Sequence, residues 1–358
     1  MPDRKIIESI SNYYPLQILK AFGNNSQSTK SLELIAKCLI DVYRYFEPAY
    51  FKGNFYMCKH FDDEMCFPIA NAALLYDKSI LLNKTTGNII LQRFDDDKLY
   101  MWDNEDPATL IGNPNVLTYH FKENREYFLA SAEIIEVTIK PKGSRFAPQF
   151  IDLIVALNAY STERVFHSTC PAFNQSWSDS NRIFFRSEGS GNNIPEKFMQ
   201  ESLSEFLRVQ DTLRGISIET VREFNVGGGR PKPVDIRIQW KDANRIALIE
   251  IKWVGSSKSS ITGNIASHGQ PRVNSGYLQL KGYFDSASRD MPNTIIKSHL
   301  VVLDGRRNNL SDNLISINYA DGMHFKDEDI LVDLSSRFYE SIPGFEKPLR
   351  MFAAPICS

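Results

Sequence analysis

The chain has no run of apolar residues long enough to cross a bilayer. Its most apolar helical stretch, QFIDLIVALNAY from Gln149 to Tyr160, is too short and too polar. The opening residues, MPDRKIIESIS, lack the apolar segment of a secretory leader. Cysteine is scarce: Cys38, Cys58, Cys66, Cys170 and Cys357 are odd in number and widely spaced. That argues against a disulfide framework and for a reducing compartment. Internal repeats and low-complexity tracts are absent. So is a nucleotide-binding phosphate loop: Gly227-Gly-Gly-Arg-Pro231 has neither G-K-[ST] nor G-x-G-x-x-G spacing and reads as a hairpin turn. The expectation is a cytoplasmic globular protein with no membrane partner, its 358 residues enough for about two domains.

What is present is unevenly charged. The net charge is only −2, yet residues 196–307 hold 17 Lys and Arg against 12 Asp and Glu. No acid occurs between Glu250 and Asp285, where Lys252, Lys258, Arg272 and Lys281 stand. A local basic surface attracts polyanions even on a near-neutral chain. Arg230, Lys232, Lys258, Arg272 and Lys281 are therefore candidates for contact with nucleic acid.

Residues 4–22 and 28–47 have the apolar spacing of amphipathic helices. Residues 50–140 alternate short aromatic and β-branched runs with Asn/Asp/Gly turns, GNIILQRF and AEIIEVTIK among them. Residues 149–160 read as a further helix. The Gly/Ser/Asn-rich SEGSGNNIPEKF at 187–198 marks a domain boundary, giving an N-terminal α+β domain at 1–188 and a second domain at 189–358. The second opens with a helix over 195–209 that sets Met199, Leu203, Phe206 and Leu207 on one side. Strands follow at ISIETVREFNV, PVDIRIQW and RIALIEIKWV, the last two joined by the short KDAN. Then come a polar loop over 255–270, a helix at GYLQLKGYFDSA and a buried strand at IIKSHLVVLDG. That order predicts an α/β domain with a mixed sheet flanked by helices.

The strand ALIEIKW, Ala247 to Trp253, carries two charges where a buried strand should have none. Side chains alternate along a strand, so Glu250 and Lys252 share a face. A hairpin through KDAN brings Asp235 to the same point. Two carboxylates at one point repel unless a cation lies between them. Hard oxygen ligands suit Mg²⁺ or Mn²⁺. Such a cation lowers the pKa of a bound water and polarises a phosphate, and an adjacent lysine stabilises the charge that develops. The chemistry implied is metal-assisted phosphodiester hydrolysis.

PVDIRI followed by ALIEIKW resembles the PD-(D/E)XK nuclease superfamily. Asp235 matches its metal-binding Asp and Glu250-Ile-Lys252 its (D/E)-x-K, with Val234 inserted between Pro233 and Asp235. Gln279-Leu-Lys-Gly-Tyr283 is a Q-x-x-x-Y on the following helix. It resembles the branch of recombination-complex exonuclease domains and CRISPR adaptation nucleases. The resemblance, over roughly residues 190–310, implies a restriction-endonuclease-like fold and catalytic roles for Asp235, Glu250, Lys252, Gln279 and Tyr283. It implies a metal set of Asp235, Glu250, Ile251 and a helix glutamate. Glu196, Glu201 and Glu205 compete for the last place, and Glu196 is favoured because Leu203 and Leu207 put it on the sheet-facing side. DNA is implied as substrate ahead of RNA. A nuclease domain fused to an N-terminal domain resembles bacterial restriction and anti-phage defence effectors, which implies a partner protein or activating ligand at residues 1–188. A homodimer is also open.

Other patterns have plainer readings. Cys58, His60 and Cys66 in CKHFDDEMC fit no standard zinc spacing. The acids of FDDDKLYMWDNED read as a solvated surface. His268 reads as an exposed loop histidine, with general base the sharper alternative. The Gly/Ser-rich 255–275 is expected to be a flap that orders over nucleic acid. A silent or partner-activated nuclease site on a nucleic-acid-binding or scaffolding protein remains the alternative function.

Overall fold

The computed structural model describes residues 26–48, 51–84, 86–129, 134–138, 144, 146–147, 150–166, 184–186, 195–214, 218–224, 233–240, 244–259, 264–309 and 317–354. The expected helix at 4–22 and the glycine turn at 227–231, with Arg230 and Lys232, lie outside them. The content is mixed α/β: two sheets, each with parallel and antiparallel pairs, flanked by helices. No helix among the described residues is long and apolar enough to cross a membrane.

The chain divides into two units between Ile151 and Asp152, not at 188. In the first, helix α1 (Ser26–Val42) packs against a sheet of β1 (Lys52–His60), β2 (Ala73–Leu74), β3 (Thr86–Arg93), β4 (Leu99–Asp103), β5 (Val116–Lys122), β6 (Arg125–Leu129) and β7 (Ile134–Glu136). The strand order is β2-β4-β3-β1-β5-β6-β7, with β1 and β3 parallel. The period of two sorts β1 cleanly. Phe55 and Met57 join the α1-side core with Leu32, Ile35, Leu39 and Tyr43, while Tyr56 and Cys58 join a second cluster with Trp102, Phe67 and Leu110. Glu126 is fully buried in this unit. It accepts from the Tyr119 hydroxyl at 2.8 Å and Ser144 Oγ at 2.5 Å, and Tyr119 meets the Tyr43 hydroxyl at 3.0 Å.

The second unit takes in α2 (Phe150–Tyr160) from Asp152 onward, which the glycine-rich segment had been expected to separate from it. The Tyr160 hydroxyl donates to Ser202 Oγ at 3.0 Å and its ring lies 5.3 Å from Phe206. A short strand, β8 (Phe184–Arg186), pairs with the central strand of this unit. The glycine run is thus internal to a unit, because pairing on both sides of it outweighs a local composition that favours a linker. Next come α3 (Pro195–Arg214), β9 (Ile218–Phe224), β10 (Val234–Trp240), β11 (Arg245–Ser259), β12 (Ile265–His268), α4 (Gln270–Asp290), β13 (Ile295–Asp304) and β14 (Leu349–Phe352). The main sheet runs β14-β13-β11-β10-β9, parallel across the first three strands and antiparallel across the last two junctions.

Helix α4 lies on β11 and β13, its Val273, Tyr277 and Leu280 packing with Ile246, Leu248, Leu300 and Val302. Helix α3 packs on β9, β10 and β11 and buries the four apolar residues read from its spacing. All ten residues of β13 are buried. Asp304 at its end is fully buried, held by Arg306 at 3.0 and 2.9 Å and by Arg350 of β14 at 2.7 Å. Gly255–Lys258 and Ile265–His268 are paired strand, not part of the polar loop expected over 255–270. β11 continues to Ser259 and pairs with β12 from Gly255↔His268 to Lys258↔Ile265. Gly255, at φ +142°, takes a backbone conformation that side chains resist, and lets the strand leave the main sheet there.

Candidate functional site

β10 and β11 pair as an antiparallel hairpin from Trp240↔Arg245 to Ile236↔Ile249, and the pairing then stops. Continued one step, the same register sets Asp235 opposite Glu250. Beyond it β11 runs on beside β13. A strand that loses a neighbour leaves its N–H groups on that side without acceptors. Here two carboxylates take the next two. Asp235 Oδ2 accepts from the Ile251 N–H at 2.7 Å, and Glu196 Oε1, from the first turn of α3, accepts from the Trp253 N–H at 3.1 Å. Gln200 Nε2 fixes the Asp235 carbonyl at 2.5 Å. The fork in the sheet thus gathers acids because its backbone needs acceptors.

Glu250 lies on the face shared with Lys252, as the alternation requires. It is 1 % exposed, and Lys252 Nζ donates to its Oε1. Its Oε2 is buried and finds no partner among the described residues. Burial, and then the negative charge of Asp235, push its carboxyl up to about 8 against the pull of Lys252. A buried carboxylate with an unmet oxygen costs several kcal/mol, so the site is built at the expense of local stability. Glu196 behaves differently. Burial raises its carboxyl, but Arg272, Lys252 and the Trp253 N–H outweigh burial and hold it below the usual range.

Helix α4 supplies the rest. Gln279 Nε2 donates to the Tyr283 hydroxyl at 2.5 Å, as the one-turn spacing predicts, and that hydroxyl donates to the Pro233 carbonyl at 3.2 Å, two residues before Asp235. Burial pushes the Tyr283 phenol up to about 12. Gly276 escaped the sequence reading. A Cβ there would come within 2.6 Å of Lys252 Cγ and Cε, so the absent side chain is the space the lysine fills. A glycine inside a helix costs about 1 kcal/mol, which is the signal that could have flagged it. That signal alone misleads, since Gly282 in the same helix faces open space.

Of the three competing glutamates, only Glu196 reaches the fork. Glu201 pairs with Arg222 at 3.0 Å, and Glu205 is exposed. Arg272 sits in the first turn of α4, not on a loop, and its Nε donates to Glu196 Oε1 at 2.7 Å. Lys281 pairs with Asp285 at 2.5 Å. Lys258 stands on β11 between β12 and β8, and His268 ends β12. In the first unit Cys58 is buried and hydrogen-bonded to Cys66, while His60 Nδ1 accepts from the Asp62 N–H at 3.1 Å. The acidic run is laced with ion pairs: Asp95 with Lys30 and Lys59, Asp97 with Arg93, Asp103 with Lys84. A cavity of about 620 Å³ lies beside them, lined by Leu34, Cys38, Asp41, Leu75 and Arg93.

No protein-family model, curated protein or solved structure matches the chain. The chemistry of the fork must be judged on its own donors. Asp235 and Glu250 are hard oxygen ligands in register, and the unmet Oε2 is where a divalent cation would relieve the repulsion between them. Ile251 can join only through its carbonyl oxygen. Among the described residues no three His, Cys, Asp or Glu gather to hold a metal.

Proposed function

We propose that the second unit is a metal-dependent nuclease domain of the restriction-endonuclease-like fold that hydrolyses phosphodiester bonds, with DNA as its substrate. The observation that carries this is Glu250: a carboxylate buried beside Asp235, one oxygen unmet and the other held by Lys252. A fold gains nothing from that arrangement unless a cation completes it. The order helix, hairpin, helix, strand around a mixed sheet supports the fold assignment.

Asp235 and Glu250, with the Ile251 carbonyl, would hold Mg²⁺ or Mn²⁺. Bound there, the cation would polarise the scissile phosphate and make its water a nucleophile near neutral pH. Lys252, laid in the Gly276 groove, orients the attacking water and meets charge developing on the phosphate. Gln279 and Tyr283 place the strand to be cut, the tyrosine staying a neutral donor because its phenol is pushed up. We assign recognition to the first unit, in restriction or anti-phage defence, with its cavity as the place for an activating ligand.

The test is cleavage of single- and double-stranded DNA and RNA with Mg²⁺, Mn²⁺ or EDTA, beside a folded Lys252→Ala variant. Metal-dependent cutting lost in the variant is the expected result. Equal cutting by both proteins would overturn the assignment. Binding without cutting under every condition would instead favour the silent or partner-activated site.

A further inference from the structure

The Glu196 carboxylate meets two donors through one oxygen, the Trp253 N–H at 3.1 Å and Arg272 Nε at 2.7 Å. It is a half-buried acid whose charge is already balanced by a guanidinium. Arg272 spends only Nε on this bond. Among the described residues nothing accepts from its Nη1 or Nη2, and its side chain is 36 % exposed against 20 % for Glu196. A guanidinium gripped at Nε keeps its two terminal amino groups coplanar and parallel, the arrangement that meets two oxygens of one phosphate. The fork points from a defined place. It stands in the first turn of α4, where Gly269 offers no side-chain cap and the helix dipole favours an anion. It also lies near enough to Asp235 and Glu250 for both to act on it electrostatically.

We infer that Arg272 is the phosphate-binding fork of this site, and that Glu196 is its positioning residue and not a metal ligand. The inference rests on the proposed nuclease reading and departs from it over Glu196, which the family resemblance puts in the metal set. Oε1 is already spent on the Arg272 and Trp253 donors, which leaves only Oε2 to turn toward a cation beside Asp235 and Glu250. The ligand class is the phosphodiester backbone: the fork carries no information about bases, so it weakens or strengthens all sequences alike.

The test separates metal from phosphate. Mn²⁺ binding is followed by electron paramagnetic resonance, and binding of a labelled DNA oligonucleotide by anisotropy in Ca²⁺. Wild type is compared with Asp235→Asn, Glu196→Gln, Arg272→Ala and Arg272→Lys, each checked for an unchanged melting temperature. Asp235→Asn should lose Mn²⁺, and if it does not, the nuclease reading fails. Glu196→Gln should keep Mn²⁺ within about twofold yet bind DNA about tenfold more weakly, as should Arg272→Ala. The double variant should be no worse than either single, because the two act as one unit. Arg272→Lys should not restore binding, since an ammonium is a point charge without a fork. A tenfold loss of Mn²⁺ affinity in Glu196→Gln with DNA binding intact would overturn the inference while leaving the nuclease reading standing. Full rescue by Arg272→Lys would overturn the fork geometry.

Discussion

Each sheet buries a glutamate, and the two are treated in opposite ways. Glu126 in the first unit is enclosed by hydroxyls that donate to it, a network extended by Tyr43. Asp304 in the second unit is as deeply buried and is clasped by two arginines. Glu250 has one lysine and one oxygen with nothing to meet it. Burial alone therefore does not mark a functional acid. A satisfied carboxylate holds a structure together, whereas a half-satisfied one leaves room for something that arrives later.

The largest expected break in this comparison is Glu250→Gln. Cleavage should fall by about 10²–10³-fold, as when a group stabilising developing charge is removed. Its melting temperature should not drop, because burial and Asp235 already push that carboxyl up to about 8 and an amide of the same shape replaces a group that is mostly neutral at pH 7. A fall in stability equal to the fall in rate would put Glu250 in the class of Glu126. Next comes Gly276→Ala, which touches no reacting group. Displacing Lys252 by an ångström should cost about 10²-fold in rate. Restored rate in a Gly276→Ala protein, assayed at saturating metal and substrate, would mean the lysine does not need its groove. Glu126→Ala should do the reverse: full specific activity in the folded fraction, with about 3 kcal/mol lost in urea unfolding.

The smallest effect concerns acid. His299, buried on β13, is driven down to about 4 from 6.5, by burial first and Lys297 after it, against the pull of Glu346. Its folded pKa is depressed, so the folded state stays neutral while the unfolded chain takes up a proton. Stability from this group is complete above pH 6.5 and is lost as pH falls toward 4, at no more than about 1.4 kcal/mol per pH unit. In urea titrations across that window, a folded His299→Gln variant should have a flatter profile. An unchanged slope would refute the assignment.

Much of the site was legible because its signals are local. Glu250 and Lys252 share a face by the period of two, Asp235 follows from a short hairpin, and Gln279 meets Tyr283 by one helical turn. What escaped is nonlocal or hidden by composition. Ser256 and Ser267, read as loop, bond to each other across the β11–β12 hairpin at 2.9 Å, since serine and glycine conceal a strand whose pairing supplies the order. β14 was missed because its partner lies 48 residues earlier on β13, Val301 pairing with Leu349. The unit boundary was misplaced because a flexible-looking segment lies between elements that pack into one unit. Arg272 was marked as a basic residue for nucleic acid, and nothing in the sequence tied it to Glu196, 76 residues away.

The groove at Gly276 has a further consequence. A lysine free in solution explores many rotamers, and fixing it costs about 1.5–2 kcal/mol of conformational entropy. With its methylene chain cast against a bare stretch of helix, Lys252 loses that freedom when the chain folds. The loss is then charged to folding once, and it does not recur each time a substrate arrives.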